Sequence, residues 1–416
     1  MNNSHKTRRS VIFASAKTAL SLLTFSVTSS QAQNAVPKLE PTPAASRPVS
    51  QLGGTIKKKK PTRGVTHSTI LVGQTISLSG GKNPYAAAAA AGIKLFTDEA
   101  NAKGGVFGRR ISYVVLDDNG KADIAKSNAE TLVGQDVFML FGALEGGPAN
   151  AVAKVAQARQ IVFLGPMAGA PELRQPHMPF VFPVRAAHRA EFQKILRYGE
   201  TVGATRVAFL HSTSPTGMKH LINATNESKA AGVTLVASLP YKDDASDEEV
   251  AVLIAKARDA GAQLIFNHGL PKLFERFILG SRKAGFQPIF AGVNSGSSEV
   301  AGRLGSDGKG VIFAQVVPNP DSGKFEVVRQ FKSAWLAAYP GRKTSHGALE
   351  GYLTAKVLFT ALRRAGPDPT QESLITGLHA SPINLGGLQI SYSSTEHQGM
   401  DFVELSLVGR DGKFVY

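Results

Sequence analysis

The stretch from Thr69 to Asp118 constrains the fold more than any other part of this chain. Ile70, Leu71 and Val72 form an apolar run that leads into a small, polar loop, Leu78-Ser79-Gly80-Gly81-Lys82-Asn83-Pro84-Tyr85. An alanine-rich, helix-like stretch follows and stops at Lys103-Gly104-Gly105. A second apolar run, from Ile111 to Leu116, ends in Asp117-Asp118. Short apolar runs bounded by turn residues read as buried strands, and a helix between two of them implies a parallel crossover. A parallel sheet needs both faces covered, so this unit predicts an α/β fold with a binding place at the loop beyond the first strand.

The alternation continues along the chain. Strands are predicted over residues 70–75, 111–117, 137–141, 161–164, 207–211, 233–237, 264–267 and 289–292, with helices between them. Phe192, Ile195 and Leu196 carry helical spacing, as do Leu273, Phe274, Phe277 and Ile278. Ala231-Gly232 and Ala284-Gly285 read as helix ends followed by strands. A helical pair is predicted late in the chain, over 325–339 and 346–365. The apolar stripe of its second member runs through Leu349, Tyr352, Leu353, Val357, Leu358 and Leu362, and Pro367 stops it. Short closing strands fit the tail. Right-handed crossovers then place helices on both faces of parallel sheets.

With 416 residues, 43% apolar and 19% charged, the chain is long enough for two domains with sizeable cores. No run of about 18 apolar residues predicts a permanent membrane span. Lys6, Arg8 and Arg9 precede an apolar stretch from Val11 to Val27, broken by Lys17, and then Ser30-Gln31-Ala32. That order predicts an export signal over residues 1–32, cleaved after Ala32, and a periplasmic protein. The paired arginines leave both the general secretory and the twin-arginine routes open. With no cysteine, the chain forms no disulfide and cannot be a lipid-anchored lipoprotein. Residues 33–67 read as a disordered, Pro-rich and basic leader, whose lysine run at 57–60 fits a solvated linker or a tether to an anionic surface. Of the 47 Lys and Arg, 11 fall in residues 1–67 together with one acid. The remainder carries only six excess positive charges, 36 against 30, so no nucleic-acid footprint is expected.

The opening unit resembles the start of the amino-acid-type (type I) periplasmic substrate-binding proteins. In these a strand runs into a Ser-Gly loop carrying an aromatic, and the helix ends in a phrase like NAKGG. The phrases GAPEL, RKAG and LEGY fall where such proteins have similar ones, and the resemblance covers nearly all of 69–416. It implies two Rossmann-like lobes joined by three crossovers, near 184–187, 315–318 and 398–402. Lobe one would be 68–186 plus 318–398, and lobe two 187–317 plus 399–416. It also implies a monomer that binds a small molecule between its lobes and delivers it to the membrane permease of an ABC importer.

Ligands of open parallel sheets bind beyond the carboxyl ends of the strands. The loops there supply the candidate binding residues. Gly146, Gly147 and Gly169 sit in glycine-rich loops, where free N–H groups before a helix suit a carboxylate. Ala168 flanks the last of these. Tyr85 matches the aromatic that covers the ligand in the resembled family. Loop two is here 142–148 and loop three 165–170, and the family's Ser or Thr of loop two and Thr of loop three correspond to Gly146 and Gly169. Its second-lobe tyrosines correspond to Thr216 and Leu270, and the carboxylate that pairs with an ammonium corresponds to Asn294. Glu145 is then the nearby acid. These departures argue for a small carboxylate, an amide or an aromatic acid rather than a standard α-amino acid. Arg185, at the first crossover, is a candidate partner for an anion or a structural tie. His188 and His268 are candidate donors or surface residues.

No nucleophile elbow, phosphate-binding loop or zinc-protease motif occurs, and the ten histidines show no ligand spacing. Neither a cofactor nor a metal is expected. Two other readings remain open. One is a sensor module that reports a solute to a membrane partner, and the other is an exported α/β hydrolase.

Overall fold

We describe a computed structural model of the protein, covering residues 62–79, 84–294 and 296–416. The expected export signal, most of the leader and the lysine run at 57–60 lie outside these residues. The folded body begins earlier than composition suggests. Arg63 donates to the Val133 carbonyl and to Asp136, and Val65 bridges to Ile70.

The opening unit is as predicted: β1 (Thr69–Ile76), α1 (Pro84–Ala102) and β2 (Arg110–Asp117). β1 and β2 pair in parallel from Thr69 opposite Arg110 to Ile76 opposite Asp117. The chain continues through α2 (Ala122–Gly134), β3 (Met139–Gly142), α3 (Gly146–Arg159), β4 (Phe163–Leu164) and β5 (Val181–Phe182). These strands form a parallel sheet of order β2-β1-β3-β4-β5. Next come α4 (His188–Thr201), β6 (Arg206–Ser212), α5 (Pro215–Ala230), β7 (Thr234–Tyr241) and α6 (Asp247–Asp259). β8 (Leu264–His268), α7 (Pro271–Lys283), β9 (Ile289–Gly292), α8 (Ser297–Leu304) and β10 (Ile312–Gln315) follow. The last third holds α9 (Glu326–Ala338), α10 (His346–Ala365), α11 (Gln371–His379), a ribbon of β11 (Ile383–Asn384) and β12 (Gln389–Ile390), then β13 (Glu404–Val408) and β14 (Phe414–Val415). The second sheet has the order β14-β13-β10-β9-β8-β6-β7. Its five inner and far strands are parallel, and the two closing strands are antiparallel.

The eight expected strands all appear. β5, β10 and α11 were not anticipated individually: β5 is two residues long, and β10 lies next to a crossover where its apolar run merges with Val316 and Val317. Each sheet separates two apolar cores, and the strands show why. Met139 and Phe141 face one core while Leu140 faces the other; in the second sheet Leu264 and Phe266 face opposite to Ile265. A strand buried on both faces must be apolar at every position, so these strands read as continuous runs rather than alternations.

The alanines of α1 have a purpose in packing. A Cβ on Gly92 would lie 1.8 Å from the Ala348 carbonyl oxygen, and one on Gly351 would lie 2.0 Å from that of Ala89. α1 and α10 therefore touch backbone to backbone. This contact carries Tyr85 and Glu350 toward the same point. The chain segments after β5 and after β12 are also bound to each other. The Met400 N–H donates to the Val184 carbonyl at 2.8 Å, and the Tyr392 hydroxyl donates to the Pro183 carbonyl at 2.8 Å.

His346, at the start of α10, sits 2.6 Å from the Tyr416 hydroxyl through Nε2, and its buried Nδ1 has no partner among the described residues. Burial pushes this imidazole down to about 3. Protonation therefore favours the unfolded chain. The contribution of His346 to stability is complete above its ordinary value near 6.5 and is lost as pH falls from there toward 3. At pH 5 the loss is about 2 kcal/mol, from roughly 1.5 pH units at 1.36 kcal/mol each. His346→Leu should flatten the acid side of a melting-temperature profile between pH 7 and 5, and an unchanged profile would count against a neutral His346. Gly92→Ala should lower the denaturant midpoint. Alanine gains about 1 kcal/mol in helix propensity, but overpacking against an immovable carbonyl costs about 1–3 kcal/mol. A raised midpoint would mean that α1 and α10 can part freely.

Candidate functional site

Loops after the strands of both sheets surround one cavity of about 750 Å³. From the first sheet come Tyr85, Leu144, Glu145, Gly146, Met167 and Ala168. From the second come His268, Leu270, Lys272, Val293 and Gly296, with Arg185 and His188 at the first crossover. The wall is mainly apolar through Leu144, Met167, Leu270, Leu273 and Val293, with a few charged groups. This is the usual make-up of a small-molecule site.

Five helices begin at this wall. α3 starts at Gly146, α4 at His188, α7 at Pro271, α1 at Pro84, and α8 follows Gly296. Glu145, Leu270 and Gly296 stand at the N-caps of α3, α7 and α8 without a side-chain cap. Their amide ends and the helix dipoles favour negative charge in the cavity. Glu145 adopts φ 68 and ψ 151, a region that suits only glycine, so loop two is held at a cost of roughly 1–3 kcal/mol.

Behind the cavity lies a buried polar network. The Arg185 guanidinium donates through Nη2 to Asn294 Oδ1 at 2.8 Å and to Glu191 Oε1 at 3.3 Å, and its Nη1 lies 3.9 Å from Glu350 Oε1. The Tyr85 hydroxyl donates to Glu350 Oε2 and accepts from Asn294 Nδ2 at 3.1 Å. Glu191 also accepts from the Asn294 backbone N–H at 3.3 Å, and its Oε2 lies 2.5 Å from His188 Nδ1. Arg174 holds the loop carbonyls of Ala168 and Ala170, both at 3.3 Å, and those of Arg185 at 2.8 Å and Gln398 at 3.0 Å. Burial raises Glu191 to about 7 against the lowering effect of Arg185, and raises Glu350 as well. Burial, then Arg185, lowers His188. These directions fit a neutral His188 that donates Nδ1–H to Glu191, rather than an imidazolium ion pair. Burial lowers Arg174 to about 9, which leaves it charged at neutral pH.

Of the predicted site residues, the cavity wall includes Tyr85, Glu145, Gly146, Ala168, Arg185, His188, His268 and Leu270. Gly147, Gly169, Thr216 and Asn294 are not on it. Asn294 sits one layer back in the Arg185 network. Gly169 accepts the His188 N–H through its carbonyl at 2.9 Å, and a Cβ there would lie 2.5 Å from that nitrogen. A Cβ on Gly146 would lie 3.5 Å from Thr216 Cγ2, so these two predicted positions meet across the cleft.

Three expectations need correction. Glu145 is not the nearby acid standing alone: Asp243 and Glu299 also line the cavity, and Glu191 and Glu350 lie just behind it. Asp243 comes from the loop after β7, and Glu299 from the first turn of α8. Glu350 falls within the apolar stripe of α10, where an acid among buried positions is itself the signal that could have revealed it. His188 is not a surface residue; it is 6% exposed. Histidines scattered in the sequence also converge: one ring nitrogen each from His188, His220 and His268 lie within 4.8 Å of one another.

The chain matches the periplasmic binding protein family over residues 69–412. It is 22% identical over 347 residues to a Leu/Ile/Val-binding protein homolog of Brucella abortus, covering 78% of this chain and 84% of that protein. It is similar in structure to a substrate-binding periplasmic protein from Ralstonia solanacearum, with a TM-score of 0.74 and 26% identity, over 83% of this chain and 99% of that one. A fatty acid ABC transporter substrate-binding protein from Thermomonospora curvata gives a TM-score of 0.75 at 18% identity, over 86% and 93% of the two chains. Among the described residues no helix is long and apolar enough to cross a membrane. These relatives bind solutes and are not enzymes, so the hydrolase reading falls away. With two parallel-sheet lobes and a cavity between their loops, this chain belongs to the periplasmic binding protein family, in its type I, Leu/Ile/Val-binding-protein-like branch.

Proposed function

We propose that this protein is exported by its N-terminal signal, captures a small solute between its lobes and hands it to the permease of an ABC-type importer. The observation that carries this reading is the cavity whose wall is built from loops of both sheets. A solute there touches both lobes only when they are shut, so binding favours closure, and the shut form is the one a permease can read. The lobe boundaries at 68–186 plus 318–398 and 187–317 plus 399–416 belong to the same proposal, as does action as a monomer. The alternative of a sensor that passes the bound signal to a membrane partner would use the same cleft.

The preferred solute carries a carboxylate on an apolar body. Uncapped helix ends, Arg185 and Lys272 favour the anionic end, and Leu144, Met167, Leu270 and Val293 suit the apolar part. The carboxylate class also includes the fatty acids named for one structural relative. A second reading, a branched-chain amino acid, is favoured by Asp243 and Glu299 on the wall, which could accept from an ammonium. Burial raises Glu299, however, and so weakens it as an anionic partner.

A thermal-shift screen after unfolding and refolding separates the two. The true solute at about 100 times its dissociation constant should add about 2.7 kcal/mol of stability. Aromatic acids, short carboxylates and amides should shift the protein, and leucine or valine should not; the reverse pattern would give the site to amino acids. Tyr85→Ala should weaken solute binding by calorimetric titration, and unchanged affinity would remove Tyr85 from the site. Arg185→Met should destabilise the fold by about 3–5 kcal/mol in denaturant titrations, because it leaves Glu191 and Glu350 buried without their cation. A loss below about 1 kcal/mol would mean that the two acids are protonated and need no partner.

A further inference from the structure

His188, at the first turn of α4, His220, within α5, and His268, at the end of β8, form a compact triangle. Their ring centroids are 5.1, 4.4 and 3.8 Å apart for the pairs 188–220, 188–268 and 220–268. His188 and His268 also line the solute cavity, but nothing in the solute-binding reading uses His220 or the three rings together. His220 is fully buried, and neither of its ring nitrogens has a hydrogen-bond partner among the described residues. Two orphaned imidazole nitrogens in a core are costly, and such a group calls for an explanation. Packing alone would be served better by a phenylalanine, as its neighbour Phe192 illustrates with ring centroids 5.6 Å away.

We propose that these three histidines form a binding site for a borderline divalent metal ion of the zinc, cobalt or nickel class. Imidazole nitrogen is the preferred protein ligand for such ions, which take three protein ligands where the fourth position stays open to solvent or to another molecule. The donor nitrogens already lie within 4.8 Å of one another, and a tetrahedral ion needs them at about 3.3 Å, within reach of small ring rotations. The outer shell is present too. Glu191 Oε2 lies 2.5 Å from His188 Nδ1, the carboxylate–histidine arrangement that fixes a ligand ring and directs its Nε2 to the metal. Burial lowers all three imidazoles, so they are neutral and competent as ligands at neutral pH. Arg185 and Arg174 add positive charge near His188, and Glu191 stands between Arg185 and the imidazole. His188 and His268 line the cavity while His220 lies behind them, so the ion would be reachable from the cavity.

A second histidine group makes a useful control. His397 uses Nδ1 on the Val181 carbonyl at 2.8 Å and Nε2 on His379 Nε2 at 2.8 Å, which leaves it no nitrogen for an ion. The test uses the untagged mature protein, stripped with a chelator, titrated calorimetrically with Zn²⁺ and spectroscopically with Co²⁺. The wild type should take up one equivalent, with visible Co²⁺ bands of a low-coordinate nitrogen site. His220→Phe and, separately, His268→Gln should weaken Zn²⁺ by about 100-fold or more, and Glu191→Gln by about 10–100-fold. His379→Ala should bind as the wild type does. Circular dichroism and melting of each variant separate lost binding from lost folding, and His268→Gln serves if His220→Phe does not fold. No saturable uptake by the wild type would overturn the proposal. So would equal affinity in folded His220→Phe or His268→Gln, or a loss confined to His379→Ala. The site stands independently of which organic solute the cavity accepts, and a metal-free protein that still binds solute would leave the transport reading untouched.

Discussion

The Arg185 guanidinium is the interaction on which the rest of the molecule depends. It sits at the first crossover, 3% exposed, and meets Asn294 and Glu191 on one side and Glu350 on the other. Each of these partners comes from a different element: the loop after β9, the first turn of α4, and the second turn of α10. A buried cation has to be surrounded by acceptors, and this requirement fixes where those three elements stand relative to the crossover. Tyr85 and Arg174 extend the same network, one to the cavity wall and one to the carbonyls of loop three. The polar groups on the wall, Tyr85, Arg185 and His188, are therefore held in place by Asn294, Glu191 and Glu350, which do not face the cavity.

The helix pair α1 and α10 shows how backbone packing feeds that network. Because Gly92 and Gly351 let the two helices touch, the N-terminal turn of α1 brings Tyr85 against Glu350. Larger residues at either glycine would separate the helices and leave a phenol and a carboxylate apart in a dry core. The alanine run of α1 is thus less a sign of helix propensity than of a close interface that has to end at one polar contact.

Much of the fold could be read from the sequence because parallel strands buried on both faces leave an unmistakable trace: apolar runs such as Ile70–Leu71–Val72 and Leu264–Ile265–Phe266, each followed by glycine or polar turns. The loops at their carboxyl ends were also legible, and with them eight of the positions on the cavity wall. What the sequence hid were contacts between distant elements. Glu191 looks like an ordinary helix residue until tertiary packing encloses it, and Glu350 is marked only by standing among the buried positions of α10. His188, His220 and His268 have no ligand spacing because they come from three separate elements. β5 and β10 are too short, or too close to a crossover, for periodicity to mark them.

Gly169 carries a last consequence, for the way such a protein can change its cargo. The resemblance to amino-acid binders sets this position against a threonine that grips the ligand carboxylate. Here a side chain would meet the backbone nitrogen of His188 at 2.5 Å as well as its ring. Removing the imidazole would not make room, since the nitrogen belongs to the start of α4 itself. Restoring the hydroxyl would demand a simultaneous shift of loop three or of the helix. The side chain at this position is therefore locked by backbone placement, and a single substitution at Gly169 cannot add a hydroxyl to the site without moving the chain around it.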